Sequence, residues 1–131
     1  MAQRLPPEVE NKLVEAQRLQ EQLNRVVQER VALESEKSEI ERVLKYLEEV
    51  EEKEVYKSVG GILVKVPKEK VVKELKDRLE ILEIRLEKLK RQESELRKRL
   101  DQVLRELREA QARLQTGATS VKAELGKKGG G

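Results

Sequence analysis

The chain has 131 residues, of which 42% are charged and 2% aromatic, and it holds no Phe, Trp, Cys or His. Without Cys there is no disulfide and no thiolate metal site, and without His the commonest general base and metal ligand is missing. So few large side chains argue against a compact globular core, and the abundance of Glu, Lys, Leu and Arg at a net charge of +3 points to a long helical or coiled-coil protein.

The opening "MAQRLPPEVE" has no apolar core and does not read as a signal peptide. No run reaches the roughly 20 apolar residues that span a bilayer. A soluble, cytoplasmic protein without membrane contact is the default expectation. Scarce Asn, absent Cys and dense Glu, Lys and Arg also fit heat adaptation.

Pro6 and Pro7 mark a helix start, where Pro is tolerated. From there a seam runs through Leu5, Val9, Lys12, Ala16, Leu19, Leu23, Val26, Arg30, Leu33, Lys37, Ile40, Leu44 and Leu47, at alternating steps of four and three. A seven-residue apolar repeat sustained this long is the coiled-coil signal, and it predicts a helix over about 8–53. Arg30 and Lys37 interrupt the seam. Their stems can lie along apolar surface while the charge reaches water, and polar seam residues can also fix register.

Next comes "EVYKSVGGILVKV", two β-prone runs around Gly60 and Gly61. Gly-Gly suits a two-residue turn with positive φ, so a hairpin is expected over about 55–66. That turn pairs Val59 with Ile62, Lys57 with Val64 and Val55 with Val66 on one face, which is apolar except for Lys57. Tyr56, Ser58, Leu63 and Lys65 take the other face. A lone two-stranded hairpin is marginal in water, and its edges are unpaired. Helices that run away from it cannot cover it, so other copies or partners are expected to complete a sheet or barrel. Val55, Tyr56, Val59, Gly60, Gly61, Ile62, Leu63, Val64 and Val66 are the expected assembly residues.

Pro67 opens a second helix, expected over about 67–116. Its seam is Val72, Leu75, Leu79, Leu82, Leu86, Leu89, Glu93, Leu96, Leu100, Val103, Leu107, Ala110 and Leu114. Both arms have thirteen layers, as antiparallel partners of one hairpin should. An arm of some 45 residues is roughly 70 Å long. Gly117 is a candidate C-terminal cap. The domain is therefore read as 1–117, with 118–131 as a flexible Gly/Lys tail.

Charge is divided unevenly: residues 1–54 carry 9 basic and 14 acidic side chains, and residues 55–131 carry 20 and 12. A basic half can mean nucleic acid. The preferred reading is internal pairing, with Glu48, Glu49, Glu51, Glu52 and Glu54 meeting Lys68, Lys70, Lys73 and Lys76. Two tyrosines are too few for a base-stacking surface, so no nucleic-acid partner is expected.

Two equal arms joined by a single hairpin, and above all the segment "EVYKSVGGILVKVPKEKVVKELKDRLEILEIRLEKLKRQE" with the opening "LPPEVENKLVEAQRLQEQL", resemble the archaeal β-type subunits of the prefoldin family. The resemblance covers about residues 5–115. It implies a mainly α fold: a long antiparallel two-helix coiled coil joined by one β-hairpin that assembles into a β-barrel between subunits. It further implies a hexamer of α-type subunits and copies of this chain, whose coiled-coil tentacles hold unfolded proteins without ATP and pass them to the group II chaperonin.

No catalytic constellation and no phosphate loop occur in the sequence, so neither enzyme activity nor a cofactor is expected. Folding back brings both termini to one end, where the seam is weakest. Leu5, Val9, Leu107, Ala110 and Leu114, with Leu13 and Leu104 just off the seam, either zip this tip or, as the resemblance favours, bind clients there. Arg108, Arg113, Lys122, Lys127 and Lys128 are candidates for chaperonin contact or, equally, for solubility alone. A structural spacer or filament subunit polymerising through the hairpin is the alternative to a chaperone.

Overall fold

A computed structural model of the protein describes residues 5–129, with side chains described over 5–116. In chain order it contains α1 (Pro7–Glu49), β1 (Glu54–Val59), β2 (Ile62–Pro67) and α2 (Lys68–Gly129). Two units are distinguished, one holding residues 5–25 and 93–129, the other Val26–Gln92. Each takes a piece of both helices, and the hairpin belongs to the second.

Helix α1 begins where the sequence places it. The Pro6 carbonyl accepts the Glu10 amide at 3.0 Å, and Pro7 occupies a first-turn position that needs no amide hydrogen. The first turn also carries Glu8 and Glu10, which complement the positive end of the helix dipole.

Burial follows the predicted seams. Every buried apolar residue described is a seam residue: Val9, Ala16, Leu23, Leu100, Val103, Leu107 and Ala110 in the first unit, and Ile40, Leu47, Leu82, Leu86 and Leu89 in the second. No polar or charged residue is buried among the described residues. Where a charge interrupts a seam, it meets a counter-charge. The Lys37 ammonium reaches Glu41 and Glu83, each at 3.9 Å, Arg30 bonds Glu34 at 3.2 Å, and Glu93 accepts from Arg97 at 2.8 Å.

Ion pairs flank the seams in matched steps. Within Val26–Gln92, Arg78 donates to Glu36 through Nε at 2.8 Å and through Nη2 at 3.1 Å, and Arg85 pairs with Glu29. In the other unit Arg99 pairs with Glu15. Within Val26–Gln92 the acids step by seven residues along α1 while the arginines step by seven in the opposite sense along α2, and in the first unit Glu8, Lys12 and Glu15 meet Arg113, Glu106 and Arg99 in reverse chain order. A seven-residue step returns to the same helix face in a coiled coil, so these contacts report antiparallel packing within each unit.

Strands β1 and β2 pair antiparallel in the expected register, Val59 with Ile62, Lys57 with Val64 and Val55 with Val66. Gly60 and Gly61 have φ of 56° and 82°, the positive values that a type I′ turn requires.

Three expectations are corrected. Helix α1 stops at Glu49 rather than near residue 53. The segment 50–53 is held instead by Lys68, whose amide bonds the Lys53 carbonyl at 2.8 Å and whose Nζ donates to the Val50 carbonyl at 2.6 Å. The last turn ends in Glu48 and Glu49 with no basic residue to offset the dipole, which favours this early end. Secondly, the acidic run and the lysine run do not interlock as expected. Lys65 pairs with Glu54 at 3.7 Å, but among the described residues no ion pair joins Glu48, Glu49, Glu51 or Glu52 to Lys70, Lys73 or Lys76. The run outlasts α1, so Glu51 and Glu52 have no helix to aim them across a seam. Thirdly, α2 continues through Gly117 to Gly129. Each glycine inside a helix costs only about 1 kcal/mol, and "ATSVKAEL" between Gly117 and Gly126 contains no proline. Residues 130 and 131 of the expected tail lie outside the described residues, as do the side chains from 117 onward.

Candidate functional site

Two surfaces merit attention, one in each unit. The first is the hairpin. Antiparallel alternation puts Val55, Lys57, Val59, Ile62, Val64 and Val66 on one face and Tyr56, Ser58, Leu63 and Lys65 on the other. Tyr56, Ile62 and Leu63 are 68–69% exposed, and Val59 and Val64 are exposed with them. Val55 and Val66, at the base nearest the helices, are half-buried. The apolar character thus faces water on both sides of a two-stranded sheet, which is the condition under which strands require covering layers. Its outer edges are unpaired among the described residues.

Nothing hinders the turn itself. A Cβ built on Gly60 or Gly61 would meet no atom within 4 Å, so the requirement for glycine is conformational rather than steric. Lys57, the one charge on the mostly valine face, donates to Glu74 Oε2 on α2 at 3.0 Å.

The second surface is the end of the first unit where both helices carry the expected tip residues. Val9, Leu107 and Ala110 form a buried cluster, and Leu13 packs partly against it. These residues zip the two helices together in this form. Leu5, Leu104 and Leu114 are exposed beside them. Val14, also exposed, was missed by seam reading because it lies off the repeat; scoring every off-seam apolar residue would have found it. Lys12 bonds Glu106, and Arg113 donates to Glu8 at 3.1 Å. The bond to Glu106 raises the Lys12 ammonium above its ordinary value, and the bond from Lys12 holds the Glu106 carboxyl below the usual range. Arg108 is exposed, whereas the side chains of Lys122, Lys127 and Lys128 lie outside the described residues.

Further exposed apolar side chains, Val43 and Tyr46 on α1 and Ile81 and Ile84 on α2, are scattered among charges. Neither helix is long and apolar enough to cross a membrane over its described residues.

Comparison with known proteins agrees with this architecture. The family model described as "Prefoldin subunit" matches residues 10–125. A prefoldin subunit beta of Sulfolobus acidocaldarius is 44% identical over 110 residues, which are 83% of this chain and 88% of that one. Another, of Saccharolobus islandicus strain L.S.2.15, is 41% identical over 126 residues, covering 94% of this chain and all of that one. Among solved structures, the crystal structure of the prefoldin beta subunit from Thermococcus strain KS-1 superposes with a TM-score of 0.73 at 36% identity, over 83% of this chain and 96% of that one.

Proposed function

The chain belongs to the prefoldin family, and from that premise we propose that it is a nucleotide-independent holding chaperone working as one subunit of a hexamer. Prefoldin family members are chaperones rather than enzymes, and they assemble with other prefoldin subunits. The finer reading concerns what each surface does. The hairpin joins an α-type subunit and further copies of this chain through a shared β-barrel. The helix tips capture non-native proteins, and the complex passes them to the cytosolic group II chaperonin.

One observation carries this reading: a two-stranded sheet with exposed apolar side chains on both faces. Among the described residues it has no means of covering itself, because the other elements there are the two helices. The tip supplies a second support. Leu5, Leu104 and Leu114 offer exposed apolar contact there, and the adjacent zipped cluster of Val9, Leu13, Leu107 and Ala110 would add more if the helix ends part. A single tip of this size binds weakly, and several acting on one chain gain avidity.

The test is to mix the purified chain with an archaeal α-type prefoldin subunit and dilute a denatured protein into the mixture. Light scattering is then followed with and without ATP. Aggregation is expected to be suppressed equally in both cases, at near-stoichiometric complex. Suppression that requires ATP, or none at all, contradicts the proposal. A ladder of ever larger species in place of one discrete complex would favour a filament subunit.

A further inference from the structure

The valine-rich hairpin face has one flaw. Lys57 sits opposite Val64 in the middle of it, with Val55 and Val59 two residues to either side. Its ammonium does not rest on that face. It reaches Glu74 on the second turn of α2, Nζ to Oε2 at 3.0 Å.

In the isolated chain this pair matters little, since both side chains are about half exposed (49% and 46%) and surface ion pairs contribute weakly. Covering the face changes the balance. An ammonium taken out of water without a partner opposes burial strongly, whereas one already held by a carboxylate enters the interface neutralised. We propose that Glu74 is a positioning residue for assembly: it draws the Lys57 charge off the apolar face so that another subunit can cover the hairpin. An inward-pointing charge on an exposed edge strand also guards against indiscriminate pairing. Glu74 allows that guard to persist at the correct interface. This inference rests on the hairpin being the assembly surface.

Sedimentation velocity over a concentration series, with an α-type prefoldin subunit present, reads the concentration at which half the chain is assembled. Glu74→Gln leaves Lys57 without its carboxylate and is expected to raise that concentration at least tenfold. Lys57→Met removes the charge itself and is expected to stay within threefold of the unaltered chain. The double variant Lys57→Met with Glu74→Gln is expected to return to that same range, a rescue that a purely structural role of Glu74 in α2 would not produce. Circular dichroism confirms that each variant remains helical. If Glu74→Gln assembles normally, or if the double variant is as weak as Glu74→Gln alone, the inference is overturned. Ile62→Asp separates the two levels. Loss of assembly in Ile62→Asp beside a normal Glu74→Gln removes only the role of Glu74. Normal assembly of Ile62→Asp removes the hairpin as the assembly surface and this inference with it.

Discussion

At the scale of single residues, two neighbours on α2 show what decides stability. Leu82 is 1% exposed and Ile84 65% exposed, although both are large aliphatic side chains two positions apart. Leu82→Ala removes packed atoms from the seam and is expected to destabilise the chain by about 3 kcal/mol. Ile84→Ala should stay within about 0.5 kcal/mol. Urea unfolding followed by circular dichroism measures both, and equal effects would contradict the seam assignment. The repeat made Leu82 legible, because a period of seven assigns a face. It left Ile84 unassigned, because off-seam residues obey no period. The partner of Lys57 was illegible for a related reason: a Lys reaching from a strand to a helix has no fixed sequence offset.

Titration belongs to the same scale. Hydrogen bonds from Lys12 and from Arg78 hold Glu106 and Glu36 below the ordinary carboxylate value of 4.5. A carboxylate depressed in the folded state contributes stability that is fully present above its unfolded value and is lost as pH falls through the folded one. Melting temperatures of the chain and of Glu106→Gln should therefore differ above pH 4.5 and converge below it. Lys12 is raised above 10.5, so its share is present below that value and is lost as pH rises through the folded one. A gap between the two proteins that persists unchanged down to pH 2 would contradict the Lys12–Glu106 pairing.

At the scale of elements, the hairpin and the flanking ion pairs make separate predictions. Gly60 and Gly61 hold positive φ with open space around them. Gly61→Ala is expected to weaken the hairpin by about 1 kcal/mol, the order of the penalty for a left-handed L-residue. Faster amide hydrogen exchange confined to β1 and β2 would report it. The Glu29–Arg85 contact is an exposed cross-helix pair, so reversing Arg85 to Glu should cost about 0.5 kcal/mol, and reversing both partners should restore most of it. No recovery in the double reversal would mean that the pair does not set register. Element type and order were legible here because heptads and Gly-Gly punctuation are strong local signals. Two element ends were not. The end of α1 depends on Lys68 reaching back to the Val50 carbonyl, a contact across eighteen positions that no local pattern announces. The end of α2 was misplaced because Gly117 was read as a cap, and a glycine can equally be carried through a helix at modest cost.

At the scale of the whole molecule, the surface proposed for assembly and the one proposed for capture belong to different units of the chain, so each can be altered by its own substitutions. Gly-Gly punctuation made the hairpin legible, and the seams made the paired helix ends legible. The seams did not distinguish the tip residues that are exposed from those that are zipped, since Leu5 and Val9 share one repeat yet differ in burial. The capture role of the tip is the central claim, and deletion tests it most directly. Removing residues 1–12 together with 107–131 takes away Leu5, Val9, Leu107, Ala110 and Leu114 and leaves the hairpin intact. Each apolar side chain lost from a client contact is worth roughly 1–2 kcal/mol when fully buried, and avidity multiplies the loss over several tips. The measurement is light scattering of a denatured protein in the presence of the truncated complex, with its size first verified by size-exclusion chromatography. The account predicts a complex of undiminished subunit number that no longer suppresses aggregation. A truncated complex that holds the denatured protein as well as the full-length one would contradict it and move the grip to the remaining helix faces or the hairpin.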